Sequence, residues 1–181
     1  MHAVPPSSPR ALLITGTVGA GKTSVADALG GLLAEAGIAH GVIDLDRLSQ
    51  AWPAPADDPF NALLMLQNLR AVAANFLAAE AQWLILAGVA EDADDRRRLS
   101  EAVGVPLAVC RLHVELAVVH ARLRHRHRDE PEDLRWHLAR SGELAAILDR
   151  AAVEDFAVDA TRGSVAEVAE KVLRATGWGG S

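Results

Sequence analysis

The stretch LLITGTVGAGKTSVADAL, Leu12–Leu29, decides the fold. Its start belongs to an apolar run, Ala11–Thr15, that stops at a glycine and reads as a buried strand. Its end opens a helical pattern, Lys22–Ala36, with Gly37 as the stop. Between the two, Gly16-Thr17-Val18-Gly19-Ala20-Gly21-Lys22-Thr23 fits G-x-x-x-x-G-K-[ST] at every fixed position. The glycines let the backbone turn tightly and bring its N–H groups to phosphate oxygens. Lys22 is expected to reach the β and γ phosphates, and the Thr23 hydroxyl to face Mg²⁺. The following helix aims its positive end at the same anion. Gly16, Thr17, Val18, Gly19, Ala20, Gly21, Lys22, Thr23 and Ser24 are therefore the candidate nucleotide-binding residues, with ATP and Mg²⁺ as the expected ligands.

Outward from this loop, short apolar runs alternate with longer helical ones. Further strands are expected at His40–Leu45, Trp83–Ala87, Pro106–Leu112 and Phe156–Ala160. Helices are expected at Asn61–Ala81, Asp92–Val103, Val114–Arg128, Leu134–Ala152 and Ser164–Ala175. Such alternation implies an α/β fold, a five-stranded parallel sheet in a three-layer α/β/α arrangement. Ligands of such sheets bind beyond the carboxyl ends of the strands. The 181 residues suit one domain, expected at 11–181, behind a Pro/Ser-rich tail at 1–10 that reads as mobile and has no signal-peptide core.

At the carboxyl end of the second strand stands VIDLDRL, with Asp44 and Asp46. If the strand runs through both, they face one side. An alcohol is a poor nucleophile until its proton has somewhere to go, and a carboxylate within reach supplies that place. A nucleoside monophosphate is already anionic and needs no such base. The pair therefore favours a hydroxyl acceptor; the bland alternative is that Asp46 caps a short helix.

The form G-x-x-G-x-G-K-T, together with this D-x-D, resembles the small P-loop kinases. These include the shikimate, gluconate and adenylylsulfate kinases, chloramphenicol phosphotransferase and the nucleotide kinases. The resemblance implies that one carboxylate, Asp44, serves Mg²⁺ with Thr23, and that Asp46 contacts the acceptor hydroxyl. It implies an acceptor-gripping insert at about 47–81, where Arg47, Trp52, Phe60 and Arg70 are the candidate contacts. It also makes Gly88 a candidate turn at which substrate approaches the backbone. Asn61, Met65 and Asn68 are further candidates for the pocket wall. Asp58-Pro59 reads as a helix start. A lid is implied at about 122–133, in HARLRHRHRDEPED (His120–Asp133), whose Arg122 and Arg126 share a helix face and are the candidate catalytic arginines. Arg162, after the last strand, would lie beside the adenine. Trp136 reads as a core residue.

One departure from the pattern is plain. The third strand ends in Ala87-Gly88, where many P-loop proteins carry a Mg²⁺-ordering aspartate. This counts against a hydrolytic motor and leaves Asp44 as the metal-side carboxylate.

Composition narrows the rest. A net charge of −6 argues against a general nucleic-acid or membrane-surface binder. A single cysteine, Cys110, excludes an intramolecular disulfide and fits a cytoplasmic protein. The expected activity is ATP-dependent phosphoryl transfer to a hydroxyl of a small molecule. The alternatives are a nucleoside monophosphate kinase and a nucleotide-binding regulatory module or slow ATPase. The identity of the acceptor and the oligomeric state stay open.

Overall fold

The computed structural model describes residues 8–178. Most of the expected tail lies outside them, and Arg10 already belongs to the first strand. The strands are β1 (Arg10–Thr15), β2 (His40–Asp44), β3 (Trp83–Ala87), β4 (Leu107–His113) and β5 (Phe156–Asp159). The helices are α1 (Lys22–Glu35), α2 (Leu45–Leu48), α3 (Ala62–Ala78), α4 (Ala93–Val103), α5 (Leu116–Arg126), α6 (Pro131–Ala151) and α7 (Val165–Thr176).

All five strands are parallel, in the order β2-β3-β1-β4-β5. Successive residues of a strand feed opposite cores. Leu12, Ile14, Ile85, Cys110 and Leu112 join one, with α1 and α7. Ala11, Leu13, Leu84, Leu86 and Val109 join the other, with α3 and α4. Burial on both faces explains why these strands are apolar at nearly every position rather than alternating. The chain passes from β3 to β4 across β1, so the sheet's switch point lies at the carboxyl end of β1. That places the glycine loop in the crevice where open sheets bind ligands.

Several boundaries differ from expectation for local reasons. β2 ends at Asp44 because Asp44 turns the chain: its carboxylate accepts the Asp46 N–H at 3.0 Å and caps α2. Asp44 and Asp46 therefore do not share a strand face, and the capping residue is Asp44, not Asp46. Asp58 and Pro59 lie before α3 rather than in it. The Asp58 carboxylate accepts the N–H groups of Ala62 and Leu63 at 2.8 and 3.0 Å from outside, while Asn61 in the left-handed region (φ 52°) makes the turn. α5 ends at Arg126, and α6 starts at Pro131 rather than Leu134, since proline suits a first helical position. The expected lid thus falls on the end of α5, the turn at 127–130 and the first residues of α6. Trp136 is exposed on α6, not in the core. No helix among the described residues is long and apolar enough to cross a membrane.

Candidate active site

The loop between β1 and α1 has the backbone its glycines predict. Gly19 and Gly21 take φ of 79° and 95°, in the region that favours glycine. A Cβ on Gly19 would also press on Val119 and Leu123, so the loop rests closely on α5. α2, α4 and α7 are each capped by a side chain, Asp44, Asp92 and Ser164. α1, like α5, has no side-chain cap and no acid in its first turn, and α1 is the one that follows the glycine loop. Its first N–H groups and its dipole are left for an anion, which fits a bound phosphate.

Lys22 folds back over the loop, and its Nζ donates to the Gly16 and Thr17 carbonyls, both at 3.0 Å. Burial pushes its ammonium down to about 8; Asp46 and then Asp44 oppose the fall, and Arg126 adds to it. The charges of Asp44, at the end of β2, Asp46, on α2, and Arg126, at the end of α5, therefore all act on this partly buried amine. The Thr23 hydroxyl donates to the Asp44 carboxylate at 3.1 Å. A hydroxyl and a carboxylate in contact at the mouth of a phosphate loop are the hard oxygen donors that Mg²⁺ takes. Asp46 itself is exposed, on the first turn of α2.

The two expected lid arginines part company. Arg126 is the one whose charge reaches Lys22. Arg122 is half-buried and donates to the Ala160 carbonyl at 3.0 Å, tying α5 to the end of β5, next to exposed Arg162. Among the lid histidines, His127 pairs with Glu130 at 3.2 Å and stacks on His137 with ring centroids 4.4 Å apart.

The insert after β2 is built around two asparagines. Asn61 is buried and donates to the Ser49 and Ala51 carbonyls, both at 2.9 Å, and Asn68 donates to the Leu48 carbonyl at 2.8 Å. These bonds tie both side chains to the backbone of 48–51 and shape the insert. Met65 packs against the core on the α3 side. Arg47, Trp52, Phe60 and Arg70 are exposed.

Gly88 has a packing reason of its own. A Cβ there would lie 2.5–2.9 Å from Leu45 side-chain atoms, so α2 seats itself directly on this glycine. Gly88→Ala is expected to destabilise the fold by about 1–3 kcal/mol, because a buried Leu45 cannot withdraw freely. Urea melts will measure this; an unchanged midpoint would show that the site is roomier than the packing implies.

Two ties at this edge carried no signal in the sequence. The buried Thr17 hydroxyl donates to the Ser141 carbonyl at 2.5 Å, joining the phosphate loop to α6. Arg140 of α6 pairs with Glu91, in the loop after β3. A third tie joins α6 to the sheet: buried Arg111 of β4 bonds Asp149 at 2.6 Å. A cavity of about 210 Å³ opens between Thr17, Arg111, His113, Glu115 and Asp149. A larger one, about 390 Å³, lies at the opposite edge, between Arg10, Arg96, Asp155 and Trp178, so cavity size alone does not locate the site.

The Lys22 geometry sets a pH dependence for nucleotide binding. Bound phosphates favour the charged amine, so its affinity for protons rises on binding. Below pH 8 the ammonium is already present, and affinity is flat. Above it a proton must be taken up, and the ADP dissociation constant is expected to climb about tenfold per pH unit. Calorimetric titration from pH 7 to 9.5 tests this; a flat profile throughout would reject a buried amine at the phosphates.

Comparison with known proteins adds the family. The adenylylsulphate kinase family model matches residues 8–150. The structure resembles a gluconokinase from Sinorhizobium meliloti, at 23% identity and TM-score 0.62, covering 92% of this chain and 90% of that one. It resembles the APS kinase of Mycobacterium tuberculosis, solved in complex with AMPPNP and APS, at 24% identity and TM-score 0.60, covering 93% and 98%. It also resembles a tunicamycin resistance protein from Deinococcus radiodurans, at 22% identity and TM-score 0.65, covering 94% and 96%. At these identities the likeness shows the shared fold. No curated protein matches the sequence.

Proposed function

The chain belongs to the adenylylsulphate kinase family of P-loop kinases, and from that premise we propose that it transfers the γ-phosphoryl group of ATP to a hydroxyl of a small molecule. The observation that carries this reading is the contact of the Thr23 hydroxyl with the Asp44 carboxylate at the mouth of the glycine loop, with the exposed Asp46 carboxylate two residues on. The glycine loop and the free end of α1 bind the phosphates. Lys22 leaves the Gly16 and Thr17 carbonyls for the β and γ oxygens, and Arg126 offsets charge on the transferring group. Thr23 and Asp44 would hold Mg²⁺, which supplies further charge neutralisation between the phosphates. Asp46 accepts the acceptor's hydroxyl proton as the new O–P bond forms and the bond from the γ phosphorus to the bridging oxygen breaks, releasing ADP. Arg122 and Arg162 sit at the adenine end, and the insert carrying Arg47, Trp52, Phe60 and Arg70 grips the acceptor. Gly88 fits this reading as the seat that lets α2 carry Asp46 close to the loop.

Two rivals are weaker on the same residues. A monophosphate acceptor needs several cations, and the insert offers only Arg47 and Arg70 besides Arg126. A bare ATPase has no use for a second carboxylate two residues after the one that meets Thr23. The test is ADP release from Mg-ATP with pooled alcohols, with pooled nucleoside monophosphates, and with neither. Release that depends on the alcohols is expected. Release with monophosphates alone, or equal release without any acceptor, would replace this reading.

A further inference from the structure

The phosphate loop is held by both helices of the α5–α6 hairpin. Gly19 lies so close to α5 that an added Cβ would stand 3.2–3.3 Å from Leu123 and Val119. Two residues earlier, the Thr17 hydroxyl donates to the Ser141 carbonyl of α6 at 2.5 Å. Both residues of that bond are buried, Thr17 at 6% exposure and Ser141 at 0%, so water does not compete for it. One turn before Ser141 stands His137, whose ring stacks on His127 with centroids 4.4 Å apart. His127 directly follows Arg126 and closes α5. Leu134 and Leu138, on the same stretch of α6, pack against the core that holds Val119 and Leu123. Arg140, next to Ser141, anchors α6 to the loop after β3 through Glu91. A short run of contacts thus leads from Thr17 through Ser141, His137 and His127 to Arg126. Each step is a hydrogen bond, a helical turn, a ring stack or a peptide bond.

From this we infer that Thr17 is a positioning residue. Its hydroxyl fixes α6 against the phosphate loop, and through the two stacked histidines it fixes the end of α5, so that Arg126 stands at a set place relative to the transferring group. This rests on the role given to Arg126 above and adds what holds that arginine in register.

The test compares Thr17→Val and Thr17→Ser in the full chain. Valine keeps the shape and loses the hydroxyl; serine keeps the hydroxyl. Hydrogen exchange is read on the ADP-bound protein, and turnover is read with Mg-ATP and the pooled alcohols. Thr17→Val is expected to speed amide exchange about tenfold across 120–138, the end of α5 and the start of α6, and Thr17→Ser is not. Turnover should fall about tenfold in Thr17→Val, with KM for ATP and ADP affinity within about threefold of the parent, and Thr17→Ser should recover most of it. In an Arg126→Ala background Thr17→Val should cost less than about twofold, because the two changes act on one group. A loss as large in that background, or faster exchange confined to 16–24, would make Thr17 a residue of the loop alone and overturn the inference. Parental exchange and turnover in Thr17→Val would overturn it as well. Should Thr17→Val fail to bind ADP, His137→Ala cuts the same path one turn away, and parental exchange and turnover in that variant would overturn the inference. If Arg126→Ala keeps parental turnover, or no alcohol is phosphorylated, the role given to Arg126 falls instead. Exchange across 120–138 then decides by itself whether Thr17 holds the hairpin.

Discussion

Lys22→Met should lower kcat/KM for acceptor phosphorylation by about 10³-fold, roughly 4 kcal/mol of transition-state stabilisation. Methionine nearly matches the lysine stem, so the change removes one charge and little volume. The charge matters because it is buried. An ammonium held down to about 8 by its surroundings interacts with phosphate oxygens under much weaker screening than a surface lysine would. The loss should fall on kcat as well as on nucleotide affinity, because charge on the γ-phosphoryl oxygens is redistributed during transfer. Unfolding does not explain such a loss away. The folded state disfavours the charged amine, a penalty fully present below pH 8, and Met relieves it, so the melting temperature should hold or rise. Steady-state kinetics and thermal melts on the same preparation separate the two effects. Activity within tenfold of the parent would show that Lys22 does not meet the transferring group.

The glycine loop was legible because everything it needs is written within eight consecutive residues. The strands were legible for a related reason: burial on both faces makes them apolar runs, and β3 matches its expected bounds. What stayed hidden depends on groups far apart in the chain. Thr17 meets Ser141 across 124 positions and Arg140 meets Glu91 across 49, and no periodicity announces either. The start of α3 was blurred because Asp58, three residues outside the turn that opens the helix, does the capping. The acidic, Pro-containing stretch after α5 looked like a break, yet Pro131 begins the longest helix of the fold. Trp136 misled because large aromatics usually bury themselves, and here α6 turns it outward. Residue type at Asp44 and Asp46 suggested paired work from the start. The division of labour proposed for them needed the backbone, because the Asp44 carboxylate caps α2 and meets Thr23 while Asp46 stands exposed on the helix.

That division predicts opposite phenotypes for the two aspartates. Asp46→Asn should lower kcat by about 10²–10⁴-fold, the usual value of a positioned base, while ATP affinity stays within a few-fold of the parent. Asparagine keeps the size and can still contact the hydroxyl, but it cannot take its proton. Helix α2 should survive, since its cap is the Asp44 carboxylate and the Asp46 contribution to that bond is a backbone N–H. Asp44→Asn should behave differently. It keeps one acceptor oxygen for the Asp46 N–H, presents an NH2 to the Thr23 oxygen in place of the second carboxylate oxygen, and loses the charge that would face Mg²⁺. The expected result is a raised Mg²⁺ requirement, with much of kcat recovered at high metal concentration. Rate measurements across a Mg²⁺ titration distinguish the two: Asp46→Asn should stay slow at every concentration, and Asp44→Asn should not. If the titration rescued Asp46→Asn instead, the exposed carboxylate on α2 would belong to the metal, and the acceptor's proton would have to leave by another route.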